Sequence, residues 1–272
     1  MSSRARPFTR WRRVVQATVA LVFLALPLLN ALGHGSVTGT LVALKVGPLD
    51  LVEPASAVSA ALAARAAGSR LLLGAAPLVA LAIAMGPVFC SWLCPWSLVS
   101  EGLDRMRPRH WSPRSWERAR APRAIALGLL LALSLLLRAP LAAVVAGPRL
   151  VTELPLEAMA LRVLSPVTGG LLLALLALEV LGPRRLWCRA LCPAGGIAAY
   201  LGAPRALGVI VDLERCHCSG VAPCHMRCPW GVDPRLMGRL DGCTACLACL
   251  DACPTGAISF GLGTPGRRRA RD

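Results

Sequence analysis

Four cysteines near the end of the chain, Cys243, Cys246, Cys249 and Cys253, follow the spacing Cys-x2-Cys-x2-Cys-x3-Cys and are followed at once by Pro254. The first three thiolates ride on one tight loop and can grip three irons of a [4Fe-4S] cube, while the fourth, held off by the longer gap and the proline, ligates a second cube. Such a loop demands a partner motif, and Cys216-x-Cys218-x5-Cys224-x3-Cys228-Pro229 is in position to supply it. The crossed-ligand rule assigns one cube to Cys228, Cys243, Cys246 and Cys249, and the other to Cys216, Cys218, Cys224 and Cys253. The first motif is irregular, so its loop must be reshaped, and His217 or His225 could stand in for one thiolate. A structural zinc site is the competing reading, but zinc knuckles pair two short cysteine clips and do not need a fourth cysteine before a proline.

The rest of the chain is too apolar for an ordinary soluble domain. Its 272 residues are 56% hydrophobic with a mean hydropathy of +0.60, where soluble domains are about half apolar. Four apolar segments, about 14–32, 71–89, 124–146 and 163–181, have the length of membrane helices, since nineteen residues of helix span roughly 28 Å. Arg138 and Glu179 within them read as snorkelling or paired side chains. The charge of +16 is almost all arginine and comes in patches. Arg105, Arg107, Arg109, Arg114, Arg118, Arg120 and Arg123 lie between the second and third segments, whereas only Arg149 and Arg162 lie between the third and fourth. By the positive-inside rule both termini are cytoplasmic, in a multi-pass protein of a bacterial inner membrane. The same distribution explains the charge as topology and removes nucleic acid as a partner.

Eight of the twelve cysteines lie after residue 215. The other four repeat one phrase: Phe89-Cys90-Ser-Trp-Leu-Cys94-Pro95 and Trp187-Cys188-Arg-Ala-Leu-Cys192-Pro193, with the cysteines 98 residues apart. Upstream of each lies a matching loop, Gly47-Pro48 to Glu53-Pro54 and Gly147-Pro148 to Glu153-Leu-Pro155. The membrane part therefore reads as two copies of one helical hairpin, in parallel orientation about an axis along the membrane normal. Cysteines at i and i+4 share a helix face, so the two pairs could meet as four thiols that bind a third cluster or act as redox thiols. Their plain alternative is buried apolar packing.

The expected organisation is a mostly α membrane protein: a basic N-terminus (1–13), a four-span domain (14–182), a connector (183–211), a cytoplasmic 2[4Fe-4S] ferredoxin-like module (212–262) and a basic tail (263–272). Gly261 to Gly266 matches a dinucleotide fingerprint, but too little chain follows it for the required helix.

This combination resembles the ferredoxin-type quinol dehydrogenase subunit of periplasmic nitrate reductase systems, the NapH type, and the methylamine-utilisation ferredoxin-type protein, the MauN type, over about residues 11–260. The resemblance implies electron transfer from quinol toward a periplasmic redox enzyme, as a component of a quinol dehydrogenase rather than a stand-alone enzyme. It also implies a second ferredoxin-like subunit and a c-type cytochrome as partners. His34, Asp50, Glu53, Glu153 and Glu157, expected on the outer side, are candidates to take up quinol protons. A maturation factor for a periplasmic reductase or amine dehydrogenase is the alternative function.

Overall fold

The four long apolar segments are helical in the computed structural model, which describes residues 7–32, 37–106, 120–160, 165–263 and 266–268. They form α1 (Pro7–Ala31), α3 (Ser69–Met85), α6 (Arg120–Leu137) and α9 (Pro166–Leu181). None of the helices among the described residues is long and apolar enough to cross a membrane, which overturns the expected four-span fold with spans at 14–32, 71–89, 124–146 and 163–181. Helices α3, α6 and α9 have 17, 18 and 16 residues, about 24–27 Å at 1.5 Å per residue against a hydrocarbon core of about 30 Å. Apolar composition marked these segments, but backbone breakers end them. Helix α3 stops at Gly86 with φ 73°. The segment expected to run to 146 breaks at Arg138, φ 50°, and Pro140 caps a separate short helix, α7 (Leu141–Val144). Helix α1 begins with Arg10, Arg12 and Arg13. Outside the described residues lie His34, Arg107 to Arg118, Arg162 and the last four residues of the basic tail.

The segments expected as simple loops carry structure of their own. A three-stranded antiparallel meander, β1 (Val37–Thr40), β2 (Ala43–Val46) and β3 (Leu49–Val52), leads into α2 (Pro54–Ala64). Proline at the first helical position and Glu53 as N-cap start α2, the carboxylate accepting from the amides of Ala55 and Ser56, each at 2.9 Å, which satisfies orphan donors of the first turn. Helix α8 (Gly147–Ala160) occupies the corresponding place in the second copy.

Each Cys-x3-Cys-Pro phrase turns the chain from one helix into the next. After α3 come α4 (Val88–Trp92) and α5 (Pro95–Met106); after α9 come a π-helical turn (Trp187–Leu191) and α10 (Pro193–Leu201). In both copies the amide of the second cysteine reaches back five residues, Cys94 to the Phe89 carbonyl at 3.0 Å and Cys192 to the Trp187 carbonyl at 2.7 Å. Pro95 and Pro193 then open the following helices, where a missing N–H costs nothing.

The last part of the chain forms a small α+β module. Strand β4 (Leu207–Asp212) pairs antiparallel with β5 (Ile258–Leu262) and parallel with the short β6 (Gly266–Arg268), and α11 (Pro223–Arg227) packs on α12 (Ala248–Ala252). Strand β4 thus draws the end of the expected connector into the module. Its core is Val209, Val211, Trp230 and Ile258 together with cysteines.

Helix α1 ties the module to the helical part. The Thr9 amide donates to Asp251 of α12 at 2.9 Å, and Arg12 and Arg13 clasp Glu101 of α5, Arg12 at 2.5 Å and the Arg13 Nε at 2.7 Å. Burial works to raise the Glu101 pKa, but the two guanidinium groups outweigh it and hold it below the ordinary carboxylate value. A depressed carboxyl contributes stability above its unfolded pKa and loses it as pH falls through the folded one. Glu101→Gln is expected to lower stability by about 2 kcal/mol at neutral pH, because it leaves the buried Arg12 without its carboxylate. In denaturant titrations across pH, the difference from wild type should vanish in acid.

Candidate metal centre

The loop from Cys243 to Cys249 is wound by two non-glycine residues in the left-handed region, Ala245 at φ 49° and Leu247 at φ 59°. Turns of this kind curl backbone amides inward into anion-binding concavities, a recurrent setting for iron-sulfur groups. Cys228, Cys243, Cys246 and Cys249 line one small pocket, walled by apolar groups including Val209, Trp230 and Val232. Burial pushes these thiols up, Cys246 to about 11 and Cys249 well above an ordinary thiol. Amides oppose it: Ala245 acts on Cys243, Ala248 on Cys246, and Trp230 and Val232 on Cys228. Among the described residues no group of three or more His, Cys, Asp or Glu side chains is gathered tightly enough for a single metal ion. The thiols ring a space rather than a point. Four thiols, inward amides and a dry apolar wall fit a [4Fe-4S] cube.

The second expected set shows the same split of burial as the first: Cys224 and Cys253, like Cys246 and Cys249, are buried, and Cys216 and Cys218, like Cys228 and Cys243, are half-buried. Burial and Asp233 raise the Cys224 thiol, with Cys253 near enough to add to the effect. At Cys253 burial also works upward, but hydrogen bonds from the Thr255 hydroxyl and from the amides of Ala257, Thr255 and Ile258 outweigh it and leave the thiol below its ordinary value. The irregular five-residue gap between Cys218 and Cys224 is braced by Arg235, which donates to the carbonyls of Cys218 at 3.0 Å and Gly220 at 2.8 Å and pairs with Asp233 at 2.8 Å. Sequence reasoning missed Arg235, since it lies beyond the motif it supports. Of the two histidines weighed as ligands, His217 is exposed, and His225 faces Asp233 at 3.9 Å.

The two Cys-x3-Cys pairs lie together beneath this module. Burial raises Cys90 well above an ordinary thiol, and Cys94 and Cys192 alongside push it further. Burial takes Cys94 to about 11 and Cys192 to about 12. A β-carbon at Gly195 would stand 3.9 Å from both the Cys90 Sγ and the Cys192 Cβ. The first copy holds the Cys243 loop directly: the Ser91 hydroxyl donates to the Thr244 carbonyl at 2.6 Å, and the Trp92 indole to the Ala245 carbonyl at 3.1 Å. In the second copy Arg189, at the position equivalent to Ser91, lies against Gly231 beside the Cys228 loop.

The acids expected on an outer face are dispersed. Glu53 is buried, raised by that burial, and close enough to Cys90 and Cys94 to raise their thiols. Glu153 pairs with Arg149 at 2.7 Å, and Glu157 accepts from the Thr168 hydroxyl at 2.9 Å. Asp50 sits opposite Lys45 in the β2–β3 register.

These features define an iron-sulfur electron-transfer protein of the ferredoxin type. The 4Fe-4S binding domain family matches residues 240–259, and a second family of the same description matches 68–114 and 164–209, each segment enclosing one Cys-x3-Cys-Pro phrase. Through its last module the chain belongs to the ferredoxins, being 36% identical over 56 residues to a ferredoxin of Methanothermococcus thermolithotrophicus, 19% of this chain and 93% of that protein. Over nearly its whole length it resembles the NapH and MauN ferredoxin-type proteins. It is 26% identical to ferredoxin-type protein NapH of Haemophilus influenzae over 94% of this chain and 90% of that one. With the methylamine utilization ferredoxin-type protein MauN of Methylobacillus flagellatus it shares 29% over 93% and 90%. No solved structure matches the chain.

The left-handed turn gives a direct test. Ala245→Gly removes a backbone cost of about 1 kcal/mol and is expected to leave stability unchanged or raised. Ala245→Val adds a β-branched side chain at φ 49° and should lower both stability and bound iron per protein, measured by chemical denaturation and iron analysis.

Proposed function

We propose that the chain relays electrons from quinol toward a redox enzyme on the periplasmic side, through two [4Fe-4S] cubes held by Cys228, Cys243, Cys246 and Cys249 and by Cys216, Cys218, Cys224 and Cys253. A bound cube supplies reversible one-electron storage with little rearrangement. The observation that carries the reading is the gathering of Cys228 with the three thiols of the Cys243 loop around one apolar cavity. Oxidation of one quinol to quinone releases two electrons and two protons, a number of electrons that two one-electron sites can share.

The chain's own residues do the positioning. Ser91 and Trp92 fasten the Cys243 loop to α4, Arg235 braces the Cys216 loop, and the apolar core of Val209, Val211 and Trp230 keeps water from the first site. Twelve free cysteines, most of them raised by burial, suit a reducing compartment. Cys90, Cys94, Cys188 and Cys192 then form a further thiol site between the helical part and the module, for a third cluster or for thiol redox chemistry. The names and near full-length match of the NapH and MauN relatives support an electron-transfer role with redox partners, for which we propose a second ferredoxin-like subunit and a c-type cytochrome.

Purified protein mixed anaerobically with a short-chain quinol should lose visible cluster absorbance, and quinone should form in step. Intact clusters that quinol never reduces would sink the quinol reading. In a separate measurement, Cys246→Ser should remove one cube's share of iron and acid-labile sulfide, about half of the wild-type content if two cubes are bound. Serine at all four of Cys90, Cys94, Cys188 and Cys192 should lower iron further only if those thiols hold a third cluster.

A further inference from the structure

Three arginines are buried near the loops that carry Cys228, Cys243, Cys246 and Cys249, with relative exposures of 1% for Arg12, 0% for Arg185 and 4% for Arg205. Each leaves guanidinium nitrogens without a hydrogen-bond partner: Nε and Nη1 of Arg12, Nη2 of Arg185 and Nη2 of Arg205. A buried donor left unpaired costs about 1–3 kcal/mol, so these four atoms point to an anion nearby that the protein atoms alone do not provide. The three come from distant parts of the chain and converge on the same loops. Arg205 donates to the Cys243 carbonyl at 3.3 Å. Arg185 stacks over Trp230, a wall of the cavity, at 5.3 Å from the ring centroid. Arg12 and Arg185 both act on the Cys246 thiol.

Arginines outnumber carboxylates in the ion pairs here, and Asp241 opposes them at Cys243. Glu101 is shared by Arg12 and Arg13, and Asp104 by Arg184 and Arg185. Arg189, which burial lowers to about 10, remains cationic at neutral pH beside Cys228. The second set of thiols has a different setting: its arginine, Arg235, is matched one to one by Asp233.

We propose that Arg12, Arg185 and Arg205 act as a buried cationic cage that raises the reduction potential at Cys228, Cys243, Cys246 and Cys249 above that at Cys216, Cys218, Cys224 and Cys253. This rests on the ligand sets proposed above. Reduction adds one electron and therefore one negative charge to a thiolate-ligated cube, and buried cations stabilise that charge more than water-exposed ones do. The cage therefore makes the enclosed site the place where an electron comes to rest, and the outer site the step before or after it.

The test is an anaerobic potentiometric titration of the full-length holoprotein with dithionite as electron donor, read by electron paramagnetic resonance, alongside iron content. Wild type should show two one-electron steps, and Cys246→Ser should remove the higher one. Arg12→Gln, Arg185→Gln and Arg205→Gln should each lower the higher step by about a tenfold fall in the equilibrium constant for reduction, about 59 mV for one electron. Arg12→Lys and Arg205→Lys, which keep the charge, should restore most of the shift; a loss equal to that of the glutamine variants would overturn the electrostatic cage. If one substitution prevents folding, the other positions carry the comparison. Intact clusters whose potentials do not move in any glutamine variant overturn the inference and leave the ligand sets standing. Wild-type protein that binds no cluster overturns the ligand sets themselves.

Discussion

Four thiols facing one apolar pocket, Cys246 and Cys249 buried and Cys228 and Cys243 half-buried, impose the constraint that the rest of this structure answers. Such thiols cannot ionise cheaply in an apolar setting, so whatever draws them together must bring positive charge and donors with it. The chain meets part of that demand with backbone, through the left-handed residues Ala245 and Leu247 and the amides they turn inward. Buried arginines packed on these loops, Arg205 on the Cys243 carbonyl and Arg185 over Trp230, bring positive charge near. Metal binding to such a site is also folding energy, which matters in a module whose core includes the buried cysteines Cys224, Cys246, Cys249 and Cys253.

The helical part works as a cradle for this module rather than as a separate unit. Ser91, Trp92 and Arg205 reach the Cys243 loop from elements far away in sequence, and α1 reaches α12 through Thr9 and Asp251. The cradle is built from a duplication. One Cys-x3-Cys-Pro copy supports the Cys243 loop and the other lies beside the Cys228 loop, so a two-motif iron-sulfur module rests on a two-motif support. Because both copies keep the same five-residue backbone hydrogen bond, their cysteines are presented by the same local geometry. The copies diverge at the upstream acid: Glu53 is a buried helix cap, whereas Glu153 is a half-buried partner of Arg149.

Some of this could be read in advance. The spacing from Cys243 to Pro254 and the repeated Cys-x3-Cys-Pro phrase announce iron-sulfur chemistry and an internal duplication, because ligand spacing is a local property of the chain. Span length was misread for a physical reason. Hydropathy counts apolar residues without regard to where the helix ends, so the breaks at Gly86, Arg138 and Pro140 escaped it. Arg235 and the buried arginines escaped for the opposite reason, since each acts on a loop outside its own local pattern, Arg235 across 17 residues and Arg205 across 38.

The amino-acid sequence by itself determined the ligand chemistry, the ferredoxin-type character and the twofold repetition, all of which depend on residue type and short-range spacing. Only the tertiary structure decided how far each apolar helix runs, that Glu53 lies near the thiols rather than on an opposite face, and which arginines surround Cys243 and Cys246. These are matters of long-range packing, in which the free energy of burying a charge depends on neighbours that the chain brings together only when folded.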